Sequence, residues 1–185
     1  PGDATGDVNI TIDGTVFKST FTGVWDSKSN VILTVISGTF EYPFVGAKNN
    51  SAKTTVHIKD KDNYVWFRST FLAAGTGCGD LDFITTKHPK WEASCTLYTG
   101  SGGKVTAPIN GGDWASQPIL INTPSDVTAT ATINGATFAK GLLGATESST
   151  QTSITMNIGN SSKVEIKEKL IGTNAPVLKE KPISI

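Results

Sequence analysis

The sequence predicts an all-β fold, an antiparallel β-sandwich of the immunoglobulin-like or jelly-roll type. Helical periodicity is nearly absent from the 185 residues. Glycine and asparagine recur at intervals of about 8 to 12 residues, and threonine, valine and isoleucine fill the intervals between them. Such spacing is typical of short strands joined by turns, and a chain of this length fits one domain or two small fused sheets.

The predicted strands are the segments in which apolar and β-branched residues alternate with polar ones or run together between turn residues. They cover residues 6–13, 15–24, 30–40, 53–59, 63–73, 80–86, 92–98, 117–122, 126–133, 136–143, 151–158, 162–171 and 176–184. Residues 60–63 predict a hairpin turn, because aspartate and asparagine tolerate turn geometry. Residues 99–113 contain five glycines and predict a long loop or hinge.

The first predicted strand has the clearest alternation in the chain. Val8, Ile10 and Ile12 share one face, and polar residues occupy the other. An alternating strand placed before the body of a domain closes its own sheet or completes the sheet of a neighbour. We expect the second outcome, with residues 1–14 as a donor-type extension and residues 15–185 as a single sandwich domain.

The segment Asp7-Val8-Asn9-Ile10-Thr11-Ile12-Asp13-Gly14-Thr15-Val16 resembles the N-terminal extension of chaperone-usher pilus subunits. In that family, alternate apolar residues of the extension fill a groove on the preceding subunit. The resemblance implies that Val8, Ile10, Ile12 and Val16 are the donor-strand contacts of a homopolymer. Whether residues 5–13 pack on their own chain or on another decides between this hypothesis and its alternative.

A second, weaker pattern has two interpretations. Residues 11–17 (Thr-Ile-Asp-Gly-Thr-Val-Phe) resemble residues 132–138 (Thr-Ile-Asn-Gly-Ala-Thr-Phe). Both segments fit a hairpin with an Asp-Gly or Asn-Gly turn, which is the interpretation that we favour. A true internal duplication is the alternative.

Charge and composition argue against some classes of function and favour a cellular location. Sixteen acidic and sixteen basic residues balance, and the pI is near 7.2, so we expect no nucleic-acid partner. No apolar run approaches the roughly 20 residues of a membrane-spanning helix. The chain starts at Pro1 and not at Met, which suggests that a signal segment was cleaved or that the sequence was trimmed. We therefore expect an extracellular, cell-surface location.

An extracellular location gives further expectations. Cys78 and Cys95 are predicted to form a disulfide, which would contribute roughly 3 kcal/mol in the chain-entropy model. Buried free thiols are the alternative. Asn9, Asn49 and Asn160 begin Asn-X-Ser/Thr triplets and are possible glycosylation sites.

Catalytic and metal-binding patterns are missing from the sequence. His57 and His88 have no partner at metal-ligand spacing, so we predict no metal site and no cofactor. Asp80 and Asp82 share a strand face but fit a polar surface better than a glycosidase pair. We predict that the chain is not an enzyme.

Two tryptophans suggest sugar binding as the alternative function. Trp114 follows Asn110 and Asp113, and Trp25 precedes a polar stretch. An exposed ring stacks on a sugar face while neighbouring amides and carboxylates bind hydroxyl groups. The leading hypothesis is thus a structural subunit of an extracellular surface filament. The alternative is a secreted or cell-surface carbohydrate-binding module or adhesin, with host or surface glycans as partners.

Overall fold

The chain folds into a parallel β-solenoid. The computed structural model describes residues 6–62, 65–146, 153–159, 164–168 and 170–173. Its strands form three seven-stranded parallel sheets, here named A, B and C. The chain visits the sheets in the order A, B, C and then returns to sheet A beside its previous strand. One such set of three strands is called a rung.

Each sheet takes every third strand of the chain. Sheet A contains β1 (Val8–Ile12), β4 (Val31–Val35), β7 (Thr54–Ile58), β10 (Leu81–Thr85), β13 (Gly103–Ile109), β16 (Val127–Ile133) and β19 (Ser153–Ile158). Sheet B contains β2 (Val16–Phe17), β5 (Gly38–Phe40), β8 (Val65–Phe67), β11 (Lys90–Trp91), β14 (Asp113–Trp114), β17 (Ala136–Phe138) and β20 (Val164–Ile166). Sheet C contains β3 (Phe21–Val24), β6 (Phe44–Ala47), β9 (Phe71–Ala74), β12 (Cys95–Tyr98), β15 (Ile119–Ile121), β18 (Leu142–Ala145) and β21 (Leu170–Thr173).

The register between rungs is regular. Val8 lies beside Val31, which is 23 residues later, and Thr54 lies beside Leu81, which is 27 residues later. Parallel strands need a long crossover, and here the other two strands of the rung provide it. Because side chains alternate along each strand, the same ladder of positions faces the interior in every rung.

Aromatic rings fill one interior ladder of sheet B. Its members, from the first rung to the sixth, are Phe17, Phe40, Phe67, Trp91, Trp114 and Phe138. Successive rings are stacked, from 4.3 Å between the centroids of Trp91 and Trp114 to 5.4 Å between those of Phe67 and Trp91. Gly112 allows this packing: it has a φ of +132°, and a Cβ there would lie 2.6 Å from the Trp114 ring.

A second aromatic ladder runs beside the first in sheet C. Phe21, Phe44 and Phe71 stack with centroids 5.1 and 4.9 Å apart, and Cys95 takes the next position. The two ladders meet edge to face, as between Phe40 and Phe44. Aromatic pairs contribute about 0.5–1.5 kcal/mol beyond the burial of their area. The two ladders therefore hold neighbouring rungs in one register.

The predicted antiparallel sandwich is wrong, although the all-β class is correct. Alternation of apolar and polar residues shows that a strand is half-buried, but it is the same in parallel and antiparallel sheets. The predicted hairpin at residues 60–63 is also wrong: β7 and β8 belong to different sheets, and Asp60 and Asp62 turn the chain between them with φ values of 35° and 69°. The predicted loop at residues 99–113 contains β13 and the first residue of β14.

The predicted donor-type strand is part of its own sheet. Val8–Ile12 pairs with Val31–Val35 of the same chain along its whole length. The Val8 amide donates to the Asn30 carbonyl at 2.8 Å, and the Ile36 amide donates to the Ile12 carbonyl at 2.8 Å. This pairing removes the free extension that strand insertion requires. The predicted domain boundary after residue 14 falls inside the first rung.

The similar segments 11–17 and 132–138 occupy equivalent positions of the solenoid. The paired registers connect Ile12 with Ile133 through sheet A, and Phe17 with Phe138 through sheet B. Neither segment is a hairpin, because its two strands lie in different sheets. The similarity reflects the repeating rung, which the favoured interpretation missed.

Truncation of a ladder tryptophan tests this packing. Trp114→Ala is expected to lower the free energy of unfolding by about 3–5 kcal/mol, because the ring is buried between Trp91 and Phe138. Trp25→Ala is the matched control, since Trp25 is 64% exposed, and should cost less than about 1 kcal/mol. Urea unfolding followed by circular dichroism measures both. Equal losses in the two variants would contradict the core assignment.

Candidate functional site

The two ends of the solenoid are its most unusual surfaces. Val8 and Ile10 of β1 face inward but are only partly buried, whereas Val31 and Leu33 in the next rung are fully buried. An inner rung is covered on both sides, while the first described rung is covered on one. β1 also ends the strand order of sheet A, so no described strand pairs with its outer edge. Such an edge is a template for pairing with another strand.

Aromatic residues continue this apolar end across the other two sheets. Phe17 and Phe21 are partly buried, and their rings contact each other with centroids 5.1 Å apart. Their counterparts Phe40 and Phe44 are 1% exposed. The N-terminal end of the described solenoid is therefore an apolar surface bounded by open strand edges.

The last described rung has the same character. Val164, Ile166 and Leu170 are only partly buried against the core, and Ile158 is 37% exposed. Ile154 and Met156 on β19 are buried. β19, β20 and β21 end the described strand order of their sheets. Sequence reasoning missed these C-terminal residues as a site, because the repeating rung was not recognised.

A signal for the repeat is present in the sequence. Phe-Lys-Ser-Thr-Phe at residues 17–21, Phe-Glu-Tyr-Pro-Phe at 40–44 and Phe-Arg-Ser-Thr-Phe at 67–71 share a Phe-X-X-X-Phe pattern. In each case the first phenylalanine belongs to sheet B and the second to sheet C. These segments form one corner of successive rungs. The spacing between these segments gives the number of residues in one rung, and this length shows which strands form the first and last described rungs.

An exposed aromatic corner lies between sheets C and A. Trp25 follows β3, and the Lys48 ammonium lies 3.5 Å from the centroid of its ring. Beside it, Asn49 Nδ2 donates a hydrogen bond to Asp26 Oδ1 at 2.9 Å. The corner thus combines a ring, an ammonium group, an amide and a carboxylate. Lys48 and its contact with Trp25 were not found from the sequence, because the two residues are neighbours only across rungs.

The other predicted sugar-binding residues do not form one site. Trp114 is 2% exposed and lies inside the aromatic ladder, so its ring is not available for a sugar. Asp113 precedes it on β14 and points outward, beside Lys90 in the register of sheet B. Asn110 lies at a different corner, where it accepts a hydrogen bond from Asn134 at 2.8 Å. Of the four predicted residues, Trp25 is the one that presents an exposed ring.

The predicted disulfide is wrong. Cys78 and Cys95 are both free and buried. Cys78 lies in the turn after β9, where its thiol contacts the Ala47 carbonyl oxygen at 3.6 Å. Cys95 begins β12 and continues the ladder of Phe71. Hairpin spacing suggested a bridge, but in a solenoid the two residues belong to different parts of the rung.

Burial keeps both thiols protonated. It raises the pKa of Cys95 to about 12, and the neighbouring Trp114 indole only partly opposes the shift. Burial also raises the pKa of Cys78, against hydrogen bonds that lower it. The pKa of the Tyr98 hydroxyl is raised as well, mainly by burial, and this group contacts the carbonyls of Cys78 and Gly102. None of these groups is poised for nucleophilic chemistry near neutral pH.

Three other titratable residues that the sequence analysis named, His57, Asp80 and Asp82, make contacts that stabilise the fold or lie on its outer surface. His57 lies on the outer face of sheet A, and burial together with Lys59 lowers its pKa. Asp82 pairs with Lys53, and the Asp80 carboxylate accepts the Lys104 amide at 2.8 Å. Within the described ranges, no group of three or more His, Cys, Asp or Glu side chains is arranged to hold a metal ion.

The possible glycosylation sites differ in their surroundings. Asn9 is exposed on β1, where it points away from the core. Asn49 is exposed at the Trp25 corner and bonded to Asp26. Asn160 lies outside the described residues. A glycan on Asn49 would cover the Trp25 corner.

Alkaline unfolding tests the buried thiol. The folded pKa of Cys95, about 12, exceeds its ordinary value of 9.0, so the folded state keeps a proton that the unfolded state releases. Stability from this group is fully present below pH 9.0 and is lost as the pH rises towards about 12. The free energy of unfolding is therefore to be measured by urea titration at a series of pH values. It should fall less steeply with rising pH for Cys95→Ala than for the wild type. Tyr98 is common to both proteins, so equal slopes would contradict the assignment.

Comparison with protein family models, with curated proteins and with solved structures finds no match for this chain. Among the described residues, no helix is long and apolar enough to cross a membrane. The fold and the geometry of its surfaces are therefore the basis on which function is inferred.

Proposed function

We propose that this chain is a structural subunit of a filament, located at the cell surface, in which the solenoids of neighbouring copies join through their end rungs. The strand-inserting filament expected from the sequence is not proposed again, because β1 pairs with β4 of its own chain; the assembly proposed here uses whole end rungs instead of a donated strand. One observation carries the proposal: both ends of the described solenoid combine open strand edges with partly buried apolar side chains.

Repeat proteins explain why these ends favour association. Each rung contacts only its neighbours, so a solenoid is stabilised by the interfaces between rungs. An end rung that lacks a polar cap exposes the surface that inner rungs bury. At the N-terminal end this surface includes Phe17, Phe21, Val8 and Ile10. Another copy can cover it with a surface of the same chemistry.

The energetic gain is adequate for assembly at high local concentration. Full burial of a large apolar side chain stabilises by about 1.5–3 kcal/mol, and these side chains are already partly buried, so each gains less. Pairing along β1, β2 and β3 adds backbone hydrogen bonds. Association costs at least roughly 4 kcal/mol in lost translational and rotational freedom. We therefore expect concentration-dependent polymers.

A charge on the inner face of β1 tests this assembly. Ile10→Asp is expected to shorten polymers at least about tenfold, because it buries an unpaired carboxylate at the join. Thr11→Asp is the matched control: it places the same charge on the exposed face of the same strand. Sedimentation velocity and negative-stain microscopy measure polymer length, and circular dichroism verifies folding. The proposal fails if wild-type protein stays monomeric at high concentration.

A second candidate function is carbohydrate binding at the Trp25 corner. The observation that favours it is an exposed indole beside Lys48 and the bonded pair Asp26 and Asn49. A ring stacks on the apolar face of a sugar, and the polar groups bind its hydroxyls. The Lys48 ammonium would favour a sugar that carries a carboxylate or sulfate.

Variants of this corner separate binding from folding. Trp25→Ala is expected to abolish glycan binding on a glycan array without a large change in stability, because the ring is exposed. Lys48→Gln is expected to weaken binding to acidic glycans and to leave neutral ones unaffected. Tyr42→Ala is the control, since Tyr42 is also exposed but lies at another corner of the rung. Unchanged binding by Trp25→Ala would exclude this site.

A further inference from the structure

The outer face of sheet A carries two regular ladders of side chains, here called the outer array. In each strand they alternate with the buried core positions, and the strand pairing aligns them from rung to rung. One ladder runs from Asn9 to Thr155 and contains Thr55, Thr106 and Thr130. The other runs from Thr11 to Asn157 and contains Thr34 and Thr132. Threonine is therefore the dominant residue of this face.

The outer array is evenly spaced in two directions. Neighbouring strands lie about 4.8 Å apart, and outward residues of one strand follow each other at about 6.7 Å. In the aromatic ladder of sheet B, the ring planes of successive rungs differ by only 2° to 18°. Neighbouring strands of an ordinary sheet are rotated by roughly 20–25°, and side-chain ladders of this kind keep a sheet flatter. The outer array is thus a flat two-dimensional lattice of side chains.

The threonine hydroxyls of the outer array are not used by the fold. At a corner of the solenoid, by contrast, the Thr85 hydroxyl donates to the Gly111 carbonyl at 2.7 Å, and the Thr86 hydroxyl donates to the Lys59 carbonyl at 2.8 Å. Within the described ranges, no side chain or backbone group forms a hydrogen bond with a threonine hydroxyl of the array. Threonine is also stiff at χ1, so its methyl and hydroxyl groups lose little freedom on binding.

The outer array is nearly uncharged. Asp82 is its one carboxylate, and it is paired with the Lys53 ammonium at 2.5 Å. His57 is its one basic residue, and burial together with Lys59 lowers its pKa, so the imidazole is neutral at pH 7. The array therefore lacks the free charge that attracts an ionic ligand. It also lacks the aromatic ring on which a sugar stacks.

We propose that the outer array binds the surface of ice. A threonine methyl group excludes liquid water, and the hydroxyl group beside it bonds to an ordered water molecule. On the prism faces of hexagonal ice, water oxygens repeat in two directions at distances close to those of the array. A flat, rigid and uncharged array can contact many such lattice positions at once. The inference goes beyond the proposed filament and does not depend on the end rungs, because sheet A faces sideways from the solenoid axis.

A charged substitution within the array tests the inference. Thr130→Lys places a hydrated ammonium group between Thr106 and Thr155. We expect the wild-type protein to shape growing ice crystals and to hold a gap between the melting and freezing temperatures. Thr130→Lys is expected to reduce this gap at least about fivefold, because the charge must lose water at the contact. Nanolitre osmometry measures the gap, and inhibition of ice recrystallisation is the second readout.

Two further variants make the outcome specific. Thr137→Lys is the matched control: Thr137 lies in the same rung and is also half-buried, but it faces outward from sheet B between Asp113 and Glu165. It should retain the ice activity of the wild type. Thr106→Lys introduces the same charge into the neighbouring rung of the array and should lose activity as Thr130→Lys does. Circular dichroism verifies that each variant is folded.

The possible results separate the inference from its rivals. Losses confined to the two array variants support it, whether or not the wild-type protein forms filaments. A wild-type protein that neither shapes ice nor holds a freezing gap overturns it, and so do equal losses in Thr130→Lys and Thr137→Lys. Without ice activity, binding to microcrystalline cellulose that Thr130→Lys alone removes would assign the array to a crystalline polysaccharide. Dimers that Thr130→Lys alone dissociates, again without ice activity, would assign it to a contact between copies.

Discussion

The structure depends on the stacking of equivalent side chains from one rung to the next. The ladder from Phe17 to Phe138 shows this most clearly, because its rings are stacked almost parallel through six rungs. A shift of one residue in any strand would turn its interior side chains towards solvent. The register is therefore strongly determined, and the three sheets follow from it.

The outer surface contributes much less to stability. Arg68 lies between Glu41 and Glu92 of the adjacent rungs, with nitrogen–oxygen distances of 3.9 and 3.5 Å. Exposed pairs of this kind contribute about 0–1 kcal/mol. Corners can therefore carry residues that serve other purposes. Trp25 is such a residue: it lies outside the hydrophobic core and exposes a large ring beside Lys48.

The same stacking leaves the first and last described rungs with a described neighbour on one side only. Val31 is fully buried because Val8 covers it on one side and Thr54 on the other, whereas Val8 has one described neighbour in its ladder. A closed fold such as a barrel has no corresponding surface. In a solenoid, the end is a copy of the internal interface with half of it exposed. The proposed filament rests on this property.

The sequence by itself determined the all-β class and many strand-forming segments, because alternation and turn residues act over a few neighbours. It joined strands of different sheets into single segments, such as β2 with β3, and it missed β6 and β13. The strand predicted at residues 176–184 lies outside the described residues. The sequence also identified Val8, Ile10 and Ile12 as one apolar face, and the structure places them on one inward ladder. The sugar-site hypothesis needed exposed rings at Trp25 and Trp114; the Trp25 ring is 64% exposed, whereas the Trp114 ring is 2% exposed. Trp114 follows glycines and asparagine in the chain, and these residues are typical of an exposed loop.

Only the tertiary structure decided which strands are neighbours. The partner of each strand lies 23 to 28 residues away in the chain, beyond the range of local patterns. Parallel pairing at that distance placed Trp114 on Trp91, separated Cys78 from Cys95 and enclosed one edge of β1 in its own sheet. Local alternation fixes which face of a strand is apolar. The energy of stacking between distant rungs fixes what that face meets.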